Sequence, residues 1–346
     1  MFTAPCITPD AIRMFQDLVS GARCISVAAH ARPDGDALGS TSALAWWLRD
    51  SLGKDAVVLL PDTPPDTIRF ILPDGIPCLC EDREPDACRA RIAASDLIIL
   101  LDCRSFNRTE SLTDGLAASP ARKVLIDHHL DPDCRAFDLV FSTPDISSAS
   151  ELLYQVLRSI AGAAENLPSA TLRCLMAGMT TDTNNFANSV YPSTMEMASE
   201  LLAAGVDRDA LLADLYQNYR ENRVRLMGCL QYENMRITPG GLAYMIATRE
   251  ILDRFDVREG ETEGLVNVPL AIAGVKMSIL LREADGLFRV SVRSKKGYSA
   301  QQCAIRWFHG GGHENAAGGK LLWPGDIASP EKAADYLENV SRQCLG

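Results

Sequence analysis

The sequence predicts an α/β protein: a doubly wound, mainly parallel sheet joined by a helical linker to a smaller α/β domain. Three observations support this prediction. Short apolar runs of the kind that form buried parallel strands alternate with helical patterns through the first half of the chain. Polar residues directly follow several of these runs, as they do where ligands bind beyond the carboxyl ends of strands. At 346 residues, the chain is long enough for about two domains.

Amphipathic spacing and apolar runs define the elements of the first half. Ile12, Phe15 and Val19 recur at helical spacing, and Gly53 is expected to end the second helix. After its first residue the segment 96–101 is continuously apolar, which is typical of a central parallel strand. The predicted elements are helices over residues 9–21, 38–52 and 86–94, and strands over residues 23–29, 55–60, 96–101 and 123–126.

The second half of the sequence changes character twice. From Ser147 onward the spacing is helical, and near residue 236 it changes to strands. The predicted elements are helices over residues 149–161, 169–179, 193–204 and 207–219, a connector over 221–235, strands over 242–247, 271–281 and 287–292, and a helix over 300–308. We therefore place the first domain at residues 1–221, the helical linker at 222–238 and the second domain at 239–346.

The composition is that of a globular protein. Apolar residues make up 47% of the chain and charged residues 23%. No apolar run is long enough to span a bilayer, and the first residues lack the pattern of a secretion signal. Eleven cysteines, none of them in a CxxC pair, are expected to be reduced thiols. These features predict a cytoplasmic protein without a membrane partner, and they leave a homodimer open.

The net charge of −11 is unevenly divided along the chain. Residues 1–234 contain 20 basic and 32 acidic side chains, whereas residues 235–346 contain 14 and 13. A long duplex nucleic acid would need a broad basic surface, so the charge balance argues against such a partner. A small anion that is held by metal ions and a few local cations remains compatible with this balance.

Histidines and acidic residues concentrate in a few short segments. The chain has only five histidines, and two of them stand in the sequence Asp127-His128-His129 at the end of a predicted strand. Such a grouping is typical of a metal or phosphate site. Because adjacent side chains diverge, we expect one histidine to bind a metal and the other to face the substrate. Asp127 is expected to accept a hydrogen bond that fixes an imidazole tautomer.

The segment His30-x3-Asp34-x-Asp36 brings one imidazole and two carboxylates together. Pro33 and Gly35 favour a tight turn, so that the three side chains can converge. These ligand types suit a divalent ion such as manganese. The alternative is a turn in which Asp36 caps the following helix.

Three further features are weaker signals on their own. Asp102 ends a predicted strand and Asp182 lies near the end of a predicted helix, and each could instead serve in a turn or a cap. The glycines at 310–312 allow backbone amides to face an anion next to His313, or form a plain loop. The segment 289–296 carries four cations and no acid, which offers a phosphate partner or forms a solvated strand face.

Taken in order, these motifs resemble those of the DHH–DHHA1 phosphoesterases, and most closely the NrnA-like group of oligoribonucleases and 3′-phosphoadenosine-5′-phosphate phosphatases. The resemblance spans nearly the whole chain. The segments that carry it are HARPDGDALGS (30–40), LIILLDC (97–103), IDHH (126–129), GMTTDTNNF (178–186) and GGGHENAAGG (310–319).

The resemblance implies a site with two divalent metal ions, for which manganese is favoured and magnesium or cobalt are alternatives. One ion is implied at His30, Asp34 and Asp102, and the second at Asp36, Asp102, His128 and Asp182. His129 is implied to face the scissile phosphate, with Asp127 beside it. In the second domain the implied substrate contacts are Arg293, Ser294 and His313, and the amides of Gly311 and Gly312 are the expected anion contacts of the glycine run.

The implied activity is the hydrolysis of short oligoribonucleotides or 3′-phosphoadenosine-5′-phosphate to mononucleotides. A cyclic- or linear-dinucleotide phosphodiesterase and a non-catalytic nucleotide- or RNA-binding protein are the alternatives. A RecJ-type exonuclease would need further domains, and family II pyrophosphatases lack the GGGH loop. Asn184 stands where the family more often has glycine, and residues 103–107 also depart from the family pattern. Both departures border the expected pocket and therefore bear on substrate preference.

Overall fold

Six parallel strands form the central sheet of the first of two units in the computed structural model, which describes residues 2–345. The division between the units lies between Asn218 and Tyr219. The strands of the first sheet are β1 (Cys24–Ala28), β2 (Asp55–Leu60), β3 (Cys78–Cys80), β4 (Leu97–Leu101), β5 (Arg122–Asp127) and β6 (Leu139–Ser142). Their order is β3-β2-β1-β4-β5-β6, and every neighbouring pair is parallel. The direction of winding reverses between β1 and β4, which is where ligands bind in doubly wound sheets.

Helices cover both faces of this sheet. They are α1 (Pro9–Gly21), α2 (Gly35–Asp50), α3 (Pro85–Ala94), α4 (Thr113–Ala118), α5 (Ala149–Ala161), α6 (Ser169–Asp182), α7 (Pro192–Ala203) and α8 (Arg208–Tyr216). Alternate residues of β4 pack into different cores: Ile99 contributes to the core on the side of α2, α5 and α6, and Ile98 to the core on the side of α3 and α4. Burial on both faces explains why β4 is continuously apolar.

Helices α2 and α6 approach each other closely because glycines line their contact. A Cβ atom at Gly39 would lie 2.7 Å from the carbonyl oxygen of Cys174 and 2.9 Å from the Cα atom of Gly178. A Cβ atom at Gly178 would overlap the hydroxyl of Ser150 and would lie 2.8 Å from Oδ1 of Asp36. The absence of side chains at these positions therefore sets the distance between Asp36 on α2 and the end of α6.

A mixed six-stranded sheet forms the centre of the second unit. Its elements are α9 (Glu221–Gly228), a π-helix (Cys229–Asn234), β7 (Arg236–Ile237), β8 (Leu242–Ala247), α10 (Arg249–Arg254), β9 (Met277–Ala284), β10 (Leu287–Ser294), α11 (Ala300–Trp307), β11 (Gly311–Gly312), β12 (Ala316–Leu322) and α12 (Ala333–Cys344). The strand order is β11-β12-β10-β9-β8-β7, with β8 and β9 parallel and the other pairs antiparallel. Phe288, Phe308 and Leu337 are fully buried in a core that β10, α11 and α12 share.

The predicted fold class is confirmed, whereas several element predictions are incomplete or wrong. The helices over 9–21 and 149–161 and the strand over 55–60 have the predicted bounds. The strand predicted over residues 271–281 is present but its start is wrong, because Leu265–Ala271 forms a 3₁₀ helix that contains Pro269, and β9 begins only at Met277. The sequence patterns did not predict α4, α10, α12, β3, β6, β7, β11 or β12. The predicted domain bounds stay a prediction.

Two expectations from the composition concern membrane-spanning helices and the state of the cysteines. Among residues 2–345, no helix has both the length and the apolar character that crossing a membrane requires. The eleven cysteines all carry free thiols, and Cys134 is the one classed as exposed.

The glycine contact between α2 and α6 can be tested by adding a methyl group. Gly178→Ala is expected to lower the free energy of unfolding by about 1–3 kcal/mol, because the new Cβ overlaps the hydroxyl of Ser150 in a packed core. Gly228→Ala is the matched control, since that helical glycine has no atom within 4 Å of its Cβ position. Urea denaturation of both variants measures the difference. Equal stability of the two variants would contradict the packing argument.

Candidate metal centre

The polar residues of the predicted site lie at the carboxyl ends of three neighbouring strands. His30 follows β1, Asp102 directly follows β4, and Asp127 is the last residue of β5. Strands β1 and β4 are the pair between which the winding of the sheet reverses. This position at the switch point is the ligand site of doubly wound sheets, as the sequence analysis expected.

Asp102 occupies the centre of this group, and its two carboxylate oxygens face different histidines. Oδ2 lies 3.4 Å from Nε2 of His30, and Oδ1 lies 3.2 Å from Nε2 of His128. The residue is buried, and its φ of 51° lies in the left-handed region that aspartate adopts far less readily than glycine. Because one carboxylate reaches both sides, Asp102 has the geometry of a bridging ligand.

The first group of ligand atoms comes from His30, Asp34 and Asp102, which lie within 4.8 Å of one another. Nδ1 of His30 lies 2.9 Å from the carbonyl oxygen of Ala31, to which it donates, so Nε2 is directed at the carboxylates. Oδ1 of Asp34 accepts hydrogen bonds at 3.0 Å from the amides of residues 36 and 37. Asp34 is therefore the N-cap of α2, and the alternative in which residue 36 caps this helix is wrong.

The second group of ligand atoms comes from Asp36, His128 and Asp182. Nε2 of His128 lies 3.7 Å from Oδ2 of Asp182. The Asp36 carboxylate is almost completely buried and accepts hydrogen bonds from the amides of Ala149 at 2.7 Å and Ser150 at 3.0 Å. Asp182 is the last residue of α6, where the helix dipole disfavours a negative charge. An acid at that position therefore needs a cation nearby.

The electrostatics of the two groups also favour a bound cation. Burial raises the pKa of Asp36 to about 7, and the charge of Asp102 adds to this shift. Burial and the neighbouring carboxylates likewise raise the pKa of Asp182 well above its ordinary value, against the opposing charge of His128. Burial lowers the pKa of His30, but hydrogen bonding to Asp102 and the charge of Asp34 outweigh it and raise the pKa to about 9. Crowded carboxylates thus hold protons on the imidazoles in the absence of metal.

His128 and His129 diverge, as their adjacency predicted. Their ring planes meet at 67°, and their centroids are 4.8 Å apart. Nδ1 of His129 lies 2.7 Å from Oδ1 of Asp127, whose side chain is completely buried. This contact places the proton of a neutral His129 on Nδ1 and the lone pair on Nε2. His128 faces the carboxylates of both ligand groups, whereas His129 pairs with Asp127, and its Nδ1 also lies 3.7 Å from Oδ1 of Asp102.

The donor set fits divalent metal ions. It consists of four carboxylates and two imidazoles, with no thiolate within either group. Carboxylate oxygens suit magnesium and manganese, imidazole nitrogens suit divalent transition metals, and thiolates favour softer metals. Each group supplies three ligand atoms that converge within 4.8 Å. The two groups can therefore hold divalent metal ions with the residues already in place.

The predicted substrate residues of the second unit lie around β10, β11 and the start of β12. Arg293 lies in β10 and donates to the carbonyl of Val292 at 3.0 Å. The buried hydroxyl of Ser294 donates to the carbonyl of Tyr298 and accepts from Asn315, so it stabilises the loop that follows β10. Gly311 and Gly312 form β11, and the amide of His313 donates to the carbonyl of residue 316 at 2.7 Å.

The backbone conformation at the end of β11 requires a glycine at position 312. Its φ is 144°, and a Cβ atom there would lie 2.6 Å from the carbonyl oxygen of Ala316. The glycine run therefore forms a hairpin packed tightly on β12, and the amide of Gly310 also donates inside the unit, to the carbonyl of Ala304. The expected anion contacts of Gly311 and Gly312 stay a prediction.

Several residues around the site were not named by the sequence analysis. The amides of Ala149 and Ser150 hold Asp36, and Glu151 forms a capping arrangement with Ser148 at the start of α5. The spacing Ser-x-x-Glu is a recognisable helix start and could have indicated the first turn. Nothing in the sequence indicated that this turn binds a residue more than a hundred positions away.

Asn184 occupies a backbone conformation that accounts for the departure from the family pattern. Its φ is 47°, and the following Asn185 and Phe186 also have positive φ values. Glycine is the residue that most readily adopts this region, and asparagine is among the few that follow it. Asn184 can therefore replace glycine without a change in the path of the chain after Asp182.

Comparison with known proteins identifies the family. Residues 24–179 match the profile described as DHH family, N-terminal domain, and residues 241–343 match the DHHA1 domain. The solved structure of an exopolyphosphatase-related protein from Bacteroides fragilis is 33% identical, with 98% of each chain covered and a TM-score of 0.90. The chain belongs to the DHH–DHHA1 phosphoesterase family. The family predicted from the five motifs is thereby confirmed.

This DHH–DHHA1 protein is also similar to curated relatives along most of its length. The bifunctional oligoribonuclease and PAP phosphatase NrnA of Bacillus subtilis is 27% identical over 296 residues, which are 84% of this chain and 87% of the relative. The protein with the same description in Thermus thermophilus is 29% identical over 300 residues, covering 86% of this chain and 84% of the relative. These similarities support a hydrolase that acts on phosphoester bonds.

Metal binding should stabilise the fold of this DHH–DHHA1 protein. A divalent ion would relieve the repulsion among Asp36, Asp102 and Asp182, and it would bind only the folded ligand set. At 100 times the dissociation constant, one ion is expected to add about 2.7 kcal/mol to the free energy of unfolding. Thermal unfolding of chelator-treated protein, with and without Mn²⁺ or Mg²⁺, measures this effect. An unchanged unfolding temperature with every divalent ion would contradict the metal centre.

Proposed function

We propose that the protein is a two-metal phosphoesterase that hydrolyses short oligoribonucleotides and 3′-phosphoadenosine-5′-phosphate to mononucleotides. The observation that carries the proposal is the position of Asp102, whose two oxygens face His30 and His128 in separate ligand groups. A shared carboxylate between two groups of ligands is the arrangement that two-metal hydrolysis needs. The relatives described as oligoribonuclease and PAP phosphatase support the substrate class.

Each ion has a proposed set of ligands. His30, Asp34 and Asp102 would hold the first, and Asp36, Asp102, His128 and Asp182 would hold the second. Three ligand atoms lie within 4.8 Å of one another in each set, those of His30, Asp34 and Asp102 in the first and those of Asp36, His128 and Asp182 in the second, and Asp102 also lies beside His128. Manganese is favoured because the set mixes carboxylates with imidazoles, and magnesium or cobalt are alternatives.

The ions, when bound, would lower the pKa of a water molecule and neutralise charge on the phosphate. The protein contributes the positions of the reacting groups. Asp102 fixes the separation of the two ligand groups, and its own position is fixed by the hydrogen bond from its amide to the carbonyl of Ile126 at 3.1 Å. His129 would contact the scissile phosphate through Nε2, while Asp127 holds its opposite nitrogen. In the imidazolium form, with Asp127 accepting from Nδ1, His129 would donate from Nε2 to the phosphate oxygens and stabilise the charge that develops on them.

The second domain would supply the contacts for the rest of the substrate. Arg293 offers a guanidinium for a phosphate, and His313 offers an imidazole beside the glycine hairpin. The amides of Gly311 and Gly312 are the proposed backbone contacts. Ser294 would act mainly by holding the loop that carries these groups, since its hydroxyl is bonded to Tyr298 and Asn315.

The charge of the chain supports a preference for short substrates. Residues 1–234 carry 32 acidic and 20 basic side chains, so a long RNA would meet repulsion beyond the metal ions. The segment 289–296 has four cations and compensates for only a few phosphates. We also propose a cytoplasmic location, which suits a substrate class made inside the cell and a chain with eleven free thiols.

Substrate preference is tested by hydrolysis of a panel at fixed Mn²⁺. The panel contains RNA of two, five and 24 nucleotides, 3′-phosphoadenosine-5′-phosphate, a cyclic dinucleotide, pyrophosphate and inorganic polyphosphate. We expect kcat/KM for the two- and five-nucleotide RNA to exceed that for the 24-mer by about tenfold or more, roughly 1.4 kcal/mol of transition-state discrimination. Asp102→Asn is the control and should abolish turnover of every substrate. Equal efficiency on the 24-mer would contradict the size preference, and an active Asp102→Asn protein would contradict the site.

The two adjacent histidines should differ when each is replaced. His128→Ala is expected to reduce the Mn²⁺ content, because its Nε2 faces Asp102 and Asp182. His129→Ala should keep the metal and lose turnover by about a hundredfold or more, as expected for a group that acts on the reacting phosphate. Metal analysis and initial rates of both purified variants provide the measurement. The same loss of metal in both variants would show that the assigned roles are wrong.

A further inference from the structure

The first turn of helix α5 binds the carboxylate of Asp36. Its Oδ2 accepts a hydrogen bond from the amide of Ala149 at 2.7 Å, and its Oδ1 accepts one from the amide of Ser150 at 3.0 Å. Both amides are among the first donors of a 13-residue helix, where the helix dipole favours a negative charge. The orientation of the Asp36 carboxylate therefore depends on the position of this turn.

The first turn of α5 is itself held by Glu151. The amide of Glu151 donates to the hydroxyl of Ser148 at 3.0 Å, which caps the helix. Oε2 of Glu151 accepts from the amide of Ser147 at 3.2 Å, from the Ser147 hydroxyl, and from the hydroxyl of Thr194 at 2.7 Å. The side chain is completely buried, so these donors must compensate the loss of water around the carboxylate.

Thr194 connects this turn to helix α7. Its hydroxyl donates to Glu151 and accepts from the amide of Tyr191, which begins α7. Helix α7 follows the segment that leaves α6 directly after Asp182. Glu151 is thus bonded to both α5 and the start of the helix that follows a second candidate ligand.

The backbone of α6 lies close to Asp36 on its other side. Gly178 of α6 faces the hydroxyl of Ser150 and Oδ1 of Asp36, as the Cβ overlap described above shows. Asp34 has no such dependence on α5, because it caps its own helix through the amides of residues 36 and 37. The two ligand groups therefore differ in how they are supported.

We propose that Glu151, acting with Thr194, is a positioning residue for the ion held by Asp36, His128 and Asp182. It fixes the amides that orient Asp36, and the ion held by His30 and Asp34 is independent of it. This inference rests on the proposed two-metal function. Residues that orient metal ligands through hydrogen bonds, without binding the metal themselves, affect metal affinity nearly as much as some ligands do.

Titration calorimetry with Mn²⁺ tests the proposal on the full-length protein. Glu151→Gln removes the charge at constant shape, and Thr194→Val removes only the hydroxyl that links α7 to Glu151. Both variants are expected to bind one Mn²⁺ with wild-type affinity and the other about tenfold or more weakly. Electron paramagnetic resonance at two equivalents of Mn²⁺ should then show more isolated ions in the variants, whereas the wild-type protein shows coupled pairs.

Tyr154→Phe provides the matched control. Tyr154 is a buried residue of the same helix, and its hydroxyl donates to Glu200 of α7, so the variant also loses a bond between α5 and α7. The hydroxyl that this variant loses is bonded to Glu200 and not to the first turn of α5. We expect reduced stability to urea and wild-type affinity for both Mn²⁺ ions, which separates positioning of Asp36 from general loosening of the two helices.

The outcomes distinguish this inference from the function on which it rests. Wild-type protein that binds fewer than two Mn²⁺ ions would overturn both. Two ions bound with wild-type affinity by folded Glu151→Gln would overturn the role of Glu151 alone. If that variant does not fold, unchanged affinities in Thr194→Val would have the same effect. An equal loss of affinity in Tyr154→Phe would also overturn it.

Discussion

Mutual repulsion among carboxylates that are held close together is the constraint on which the rest of the structure depends. Asp36, Asp102 and Asp182 converge around His128 in a largely buried site, and their charges cannot be separated by solvent. The fold opposes this repulsion with backbone amides that donate to Asp34 and Asp36, and the carboxylates outweigh burial to raise the pKa of His128 well above its ordinary value. Divalent cations complete the compensation when they bind. The strands position the ligand residues, and the helix N-termini contribute positive electrostatic potential.

The close contact of α2 and α6 serves the same end. Gly39 and Gly178 remove side chains from the crossing, so that Asp36 on one helix and Asp182 on the other can reach the same space. If the two helices lay farther apart, the carboxylates of Asp36 and Asp182 would be too far from each other to bind the same ion. The glycine residues of the HARPDGDALGS and GMTTDTNNF segments are therefore part of the metal centre, although they contribute no ligand atom.

Local patterns in the sequence were sufficient to predict the parallel sheet, and strand β4, which is buried on both faces, is read directly from its apolar run. The candidate ligand set came from the family resemblance, because Asp102 and Asp182 are weak signals on their own. Strands β3 and β6 have three and four residues at the edges of the sheet, too few for a periodic pattern. The glycines of β12 similarly weaken its strand signal. The role of Glu151 depends on contacts between distant segments, which no local pattern records.

The hydrogen bonds from α5 to Asp36 also bear on how the protein is made. They join residues that are 113 and 114 positions apart in the chain, and the ligand set continues to Asp182. A growing chain is synthesised from its N-terminus onward at about 5–20 residues per second. His30 and Asp34 are therefore available many seconds before the later residues of the ligand groups. Contacts of such long sequence separation form late because a large loop must close first. The group of Asp36, His128 and Asp182 is accordingly completed late in synthesis, and a truncated chain that lacks α6 would present acidic residues without the partners that complete the group.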